Sequence, residues 1–253
     1  MLKILRDTAL VFSHHVRPAL RSPIALTSGL AQPILYVALF GPLLSGQILS
    51  GTGAESPWLW FIPGVLVMLI LFGTAFAGAD IQFERETGAL ERIMATPVSH
   101  SALLFGRALR QVATLLVQTV LMICIVLPFG LRVSPLGVLV GLVLIALVGA
   151  AVGATSLAVG LLMTDIGSFY TVLGTVTLPL MLTSGVLLPM DSAPGWLLTL
   201  SQVNPLSYVV AAERALFVGD FGDPAVLIGL LVAIGGTALA AVFGVAVLRR
   251  NAR

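Results

Sequence analysis

The stretch WLWFIPGVLVMLILFGTAFAGA, Trp58 to Ala79, carries no charged residue and stops at Asp80. A bilayer's hydrocarbon core needs about 20 apolar residues as helix, and every backbone polar group inside it must be satisfied internally. The stretch therefore reads as a membrane span, with Trp58 and Trp60 where interfacial aromatic residues sit. Working outward by the same count, uncharged or end-charged stretches at Ile24–Ser45, Leu103–Phe129, Val133–Met163, Ile166–Leu188 and Ala225–Leu248 read as five more. Composition agrees: 58% of residues are hydrophobic and 9% charged, against roughly 25% charged in a soluble domain. With a mean hydropathy of +1.08, a core could not hide the apolar surface, and a bilayer must cover it. The expectation is an all-α membrane protein, residues 1–253 forming one transmembrane domain of six helices.

Charge sets the orientation. Lys3, Arg6, Arg17 and Arg21 precede the first span, Arg85, Arg92, Arg107 and Arg110 lie between or near the ends of the second and third, and Arg249, Arg250 and Arg253 follow the last. Eleven of the thirteen basic residues thus share one face, leaving Arg132 and Arg214 for the other. The positive-inside rule makes that face cytoplasmic, with both termini there, in a cell membrane. Arg107 and Arg110, in the first turns of the third span, are expected to snorkel to the headgroups. No basic stripe with interleaved aromatics suggests nucleic acid. The opening residues lack an uninterrupted apolar core before a cleavage site, so the N-terminus is expected to be retained. Cys124 is the single cysteine, so no disulfide forms within the chain and no metal cluster is implied.

Three segments are neither span nor simple loop. In residues 1–22, Leu2, Leu5, Ala9, Phe12 and Val16 make a helical apolar stripe, predicting an amphipathic helix in the interface. Residues 189–223 hold two apolar pieces too short to cross, Trp196–Leu200 and Leu206–Val210, predicting external re-entrant helices. Glu213 and Arg214 within it read as a local ion pair. Residues 81–97 form the densest charge cluster. Phe83, Thr87, Leu90 and Met94 recur at helical spacing among Glu84, Arg85, Glu86, Glu91 and Arg92, predicting a short amphipathic helix ended by Pro97. Such a helix either lies solvated on the membrane surface or docks into a groove of a soluble partner.

Here the residues carry a resemblance. The run ERETGALERIMATPVS, residues 84–99, resembles the cytoplasmic coupling region of ABC type-2 permeases, with its acidic pair, glycine, Leu-Glu pair and Thr-Pro-Val run. A second match, SGVLLPMDSAPGWL at 184–197 followed by NPLSYVVAAERALF at 204–217, is similar to that family's entry into its external helices. The LRSP approach to the first span, with Arg21, Ser22 and Pro23, resembles it too. The likeness extends over the whole chain and is greatest to the small drug- and antibiotic-resistance exporters.

What the resemblance implies is a complex of two permeases, identical or different, with two separately encoded ATPase subunits that hold the ATP and Mg. Phe83, Glu84, Glu86, Gly88, Leu90, Glu91, Met94, Thr96 and Pro97 would face the ATPase; Gly88, a poor helix former inside the helical pattern, marks either a break or a close approach. Ser184, Gly185, Pro189, Asp191 and Pro194 would shape the external turn. The cargo path would lie between protomers, lined partly by the first, second and fifth spans.

The sequence holds no G-x-x-x-x-G-K-[ST] run, and its one lysine is Lys3, so ATP hydrolysis on this chain is not expected. Paired catalytic carboxylates and nucleophile elbows are likewise missing from the sequence, and no enzyme activity is expected. An ion-coupled carrier is the rival reading, but such carriers place ionisable groups or broken helices at mid-membrane. No charge falls deep in an assigned span. Pro33, Pro63 and Pro179 and the polar Gln32, Gln118, Thr175 and Thr177 read as packing features. So do Ala146, Ala150, Ala154 and Ala158 with Gly149 and Gly153, a small-residue ridge on the fourth span. An apolar path suggests a hydrophobic or amphipathic cargo such as a drug, antibiotic or lipid-like compound, with a polysaccharide or lipid-linked sugar as the alternative.

Overall fold

The structure, a computed structural model, describes residues 23–47, 56–89, 92, 100–187, 189–190 and 193–251. The helices run in the order α1 Pro23–Gln47, α2 Pro57–Thr74, α3 Ala77–Glu86, α4 His100–Val126, α5 Pro135–Leu162, α6 Ile166–Thr183, α7 Gly195–Val203, α8 Pro205–Val218 and α9 Pro224–Asn251. No strand occurs among the described residues. Among the described residues, five stretches are long and apolar enough to cross a membrane: Pro57–Glu86, Phe105–Phe129, Pro135–Leu162, Ile166–Thr183 and Pro224–Val247. α1 covers the first expected span, and the apolar part whose side chains are described, Gly29–Gly41, is shorter than a crossing. The expected interfacial helix at 1–22 lies outside the described residues.

α2 occupies the centre. Phe61 to Leu71 are all buried, and α1, α4, α5 and α8 pack around it. Its N-terminus follows the local chemistry of a helix start: Ser56 accepts from the Trp58 N–H, and Pro57 follows it. An all-round apolar sequence suits such a helix, which has no wet face to mark.

The second span does not end at Asp80 as the charge count predicts. α2 stops at Thr74, Ala75 and Phe76 form a turn, and α3 resumes at Ala77 and runs past Asp80 to Glu86. Ser156 of α5 bridges the break: its hydroxyl accepts from Gly78 N–H at 2.9 Å and donates to the Ala75 carbonyl. Gly160, one turn further along α5, lies so close to the Gly78 backbone that any Cβ there would overlap it. The fifth span also ends earlier than expected, at Thr183 rather than Leu188. Gly185 takes φ +74°, which turns the chain out of the helix. At the other end of α6, Asp165 caps the helix by accepting from Ser168 N–H and Oγ, and those bonds hold its carboxyl below the usual range. The cap therefore persists at neutral pH and is lost only on acidification below that range.

The small residues of α5 serve packing within the chain. Gly149 and Gly153 lie against Leu115 and Thr74, Ala158 is fully buried, and the face toward α9 is fixed by Thr237 Oγ1 donating to the Leu147 carbonyl at 2.8 Å. Close approach here is demanded by the α2–α3 break. Gly160→Val is expected to destabilise the protein by about 1–3 kcal/mol through overpacking on Gly78. Gly153→Ala, whose Cβ would meet Thr74 at an ordinary 3.8 Å, is expected to be neutral or stabilising by up to about 1 kcal/mol. Thermal unfolding of the two variants in detergent separates these outcomes.

Candidate functional site

The charges gather where α3 meets α4 and α5, at what is here termed the basic end of the bundle. Arg107 on α4 pairs with Glu84 at 2.5 Å, and Arg110 pairs with Asp80 at 2.6 Å. One residue further along, Gln111 donates to the Gly73 carbonyl at 2.5 Å. These three contacts run α4 along the end of α2 and the length of α3. On the other side, Gln82 donates to the carbonyls of Gly160 and Met163, and Arg85 also donates to Met163 at 3.0 Å. The final carbonyls of α5, which have no partner inside their own helix, thus receive donors from α3. Asp80, Glu84, Arg107, Arg110 and Gln111 border a cavity of about 210 Å3 together with Ala77, Phe83 and Leu157.

This geometry corrects two expectations. Arg107 does not snorkel: it is 4% exposed and turned inward, where Glu84 supplies its counter-charge. Glu84 itself is half-buried and gives Oε2 to that pair. The helix expected to begin near Phe83 is also not separate, since Phe83 to Glu86 are the last turn of α3. Beyond them Thr87 and Gly88 close the helix, and Gly88 takes φ +67° as its position in the pattern predicts. Phe83 is 61% exposed and Glu86 is exposed. Leu90, Glu91, Met94, Thr96 and Pro97 lie outside the described residues.

At the distal end of the bundle, Arg214 of α8 joins three parts of the chain. It donates to the carbonyls of Trp60 at 3.0 Å and Gly185 at 2.8 Å, and its guanidinium lies 4.1 Å over the Trp60 ring. The expected Glu213–Arg214 pair does not form: successive residues of a helix point in different directions. Both Glu213 oxygens are buried without a hydrogen-bond partner. Of the expected turn residues, Ser184 is buried and donates to Met181, Gly185 holds the turn and receives Arg214, and Pro194 precedes α7. Pro189 is half-buried nearby in sequence, and Asp191 lies outside the described residues. Asn204, between α7 and α8, donates to the Leu180 carbonyl and Thr183 Oγ1, which ties this pair of short helices to α6. Sequence reasoning passed over Asn204, Ser156 and Gln82: Ser156 is a lone polar residue in an apolar run and reads as packing, while Gln82 and Asn204 are uncharged residues in polar stretches with nothing to mark them.

α6 leans on the rest through a narrow stripe in which Phe169, Thr177 and Met181 are buried. Behind it lies an apolar cavity of about 410 Å3 bordered by Leu71, Val159, Val172, Leu173, Val176 and Leu206, among others. Its size falls within the roughly 300–1,000 Å3 of small-molecule pockets. The outer face of α6 is exposed and includes Gly167, Thr171, Gly174 and Thr175. Of the spans expected to line a path, α2 is enclosed within the protomer, while α1 and α6 present open faces, Gln32 of α1 among them.

A helical bundle with five stretches of membrane-crossing length among the described residues is that of an integral membrane protein. The family model for the ABC-2 type transporter matches residues 8–218, and the chain belongs to that family. It is 29% identical over 200 residues to a protein of Cyanophora paradoxa named as transport permease ycf38, covering 78% of this chain and 69% of that one. Over 229 residues it is 25% identical to the daunorubicin resistance ABC transporter permease protein DrrB1 of Streptomyces coeruleorubidus, covering 90% and 79%. It is also 25% identical over 236 residues to the probable doxorubicin resistance ABC transporter permease protein DrrC of Mycobacterium tuberculosis, covering 92% and 84%.

Removing Glu84 leaves the Arg107 guanidinium buried without its counter-charge. Glu84→Gln is expected to lower stability by about 3 kcal/mol. The reversed pair Glu84→Arg with Arg107→Glu is expected to recover part of the loss, and a double-mutant cycle followed by thermal unfolding reads the coupling.

Proposed function

We propose that this chain is the permease subunit of an ATP-driven exporter, working with a second permease protomer and a separate ATPase subunit. In this reading it moves a hydrophobic or amphipathic compound, drug-, antibiotic- or lipid-like, out of the cytoplasm. The basic end is cytoplasmic, and the α7–α8 pair is re-entrant from the external side. The names of the DrrB1 and DrrC relatives support the drug-like cargo. An apolar cavity behind α6, with few polar groups on its walls, supports it over a sugar.

The observation that carries the reading is the mounting of α3. One part of the helix, with Phe83 and Glu86, is open to a partner. Another is bonded to α4 through Asp80 and Glu84 and to α5 through Gln82 and Arg85. A push on the turn at Thr87 and Gly88 is thereby delivered to two spans at once. Coupling of this kind needs a demonstrated two-state element, and the tilt of α4 and α5 relative to α6 is the one proposed. Glu213 supports the ion-coupled carrier reading, as a buried acid. The two readings part on energy source: with the ATPase subunit inactivated and a pH gradient imposed, a carrier still transports and this permease does not.

Phe83→Asp is expected to abolish capture of the ATPase subunit by at least about tenfold while leaving thermal stability unchanged, because the side chain is already exposed. Retained capture with retained cargo-stimulated turnover would remove the docking role. Leu173→Trp, which fills part of the cavity, is expected to depress cargo stimulation of the complex's ATPase and leave its basal rate intact. Comparison of drug-like and glycan compounds as stimulators reads the cargo class.

A further inference from the structure

Glu213 is an acid in a place that supplies nothing for a charge. It is 0% exposed, and both its oxygens lack a hydrogen-bond partner. Its carboxyl group fits over Gly141 of α5, where a Cβ would strike Oε2, and one helical turn away the Leu216 carbonyl fits over Gly137. The two glycines form a groove in α5 into which α8 is pressed, and Ser134 N–H donates to the Phe217 carbonyl at the mouth of the groove. Among the described residues, no helix packed against α8 brings a counter-charge to it. α2, α5 and α7 contain no titratable residue, α6 has only Tyr170, and α9 has only Arg249 and Arg250 at its basic end. On α8 itself, Tyr208 donates to the Gln202 carbonyl, and Arg214 is turned to Trp60 and Gly185. Arg132, Asp220 and Asp223 flank the helices and are in the exposed or half-buried connections, outside the groove.

We propose that Glu213 is a proton-binding site that holds α8 in the glycine groove of α5: the helix docks with the carboxyl group protonated, and the proton passes to distal water when the helix lifts. An ionised carboxylate sealed here would have neither donor nor counter-ion, and such burial is strongly unfavourable. Lifting α8 hydrates the group, after which the carboxylate form is the stable one in neutral water. One proton is released per opening, so the open arrangement gains with rising pH, by up to about tenfold in the equilibrium per pH unit. The site thus links proton activity on the distal side to seating of the α7–α8 pair, independently of any ATPase or cargo.

Two measurements test it without a transport assay. Infrared difference spectra of the full chain in lipid, wild type against Glu213→Gln, should show the carbonyl band of a protonated carboxylic acid at neutral pH in wild type only. A band that survives in the variant, or none in wild type, overturns the proposal. In a Cys124→Ser background, Ala215→Cys places a thiol on α8 at a position 8% exposed in the native protein. Its labelling rate by an impermeant reagent, divided at each pH by that of a fully exposed cysteine so that thiolate ionisation cancels, should accelerate as distal pH rises from about 6 to about 9, with a slope approaching tenfold per unit. With Glu213→Gln, and with Glu213→Leu as the apolar counterpart, the rate so corrected should stay slow and flat. An equal pH slope in both variants, or a flat wild type, overturns the linkage while leaving the permease reading standing.

Discussion

The bundle depends on how one helix break is satisfied. Where α2 gives way to α3, the backbone at Ala75 and Gly78 would be left unbonded in an apolar interior, and Ser156 of α5 supplies both an acceptor and a donor. An unsatisfied peptide group at that depth costs several kcal/mol, so the hydroxyl fixes α5 beside the break. Gly160 then has to be small, and Gln82 comes within reach of the carbonyls that α5 leaves open. The position of α3 follows from the position of α5, and that of α4 from the ion pairs with α3.

The two ends of the molecule solve different problems. At the basic end the polar groups are paired across helices, and burial of Arg107 is tolerable because Glu84 is beside it. At the distal end Arg214 reaches two carbonyls and an aromatic face. Its neighbour Glu213 is left to the glycine groove. A pair of adjacent opposite charges has thus been separated into two unrelated environments by the rotation of a single helix.

Much of the architecture was legible in the sequence because it is a counting problem. Apolar runs of membrane length stand out, and α5 and α9 begin and end within a few residues of the expected limits. The break after Thr74 was not legible, since Ala75, Phe76 and Ala77 are as apolar as what surrounds them and the cause lies on another helix. The end of α6 was hidden for the same reason, as the run continues through Val186 and Leu187 while Gly185 turns the backbone. Of the site, the charge cluster on α3 was visible, but not which charges face inward. That depends on Arg107 and Arg110 arriving from another helix, which begins at His100. The full burial of α2 could not be read either, because a helix apolar all round looks the same facing lipid or protein.

The hydroxyls on α6 have a consequence for anything moving beside them. Thr171 and Thr175 each donate to the carbonyl four residues back, at 2.9 and 2.8 Å, so their protons are already engaged when a neighbour arrives. What they offer outward is methyl groups and spare lone pairs, with Gly167 and Gly174 leaving shallow hollows between. A wall of this kind asks for shape and makes few directional demands, and molecules with little chemistry in common can travel along it on similar terms.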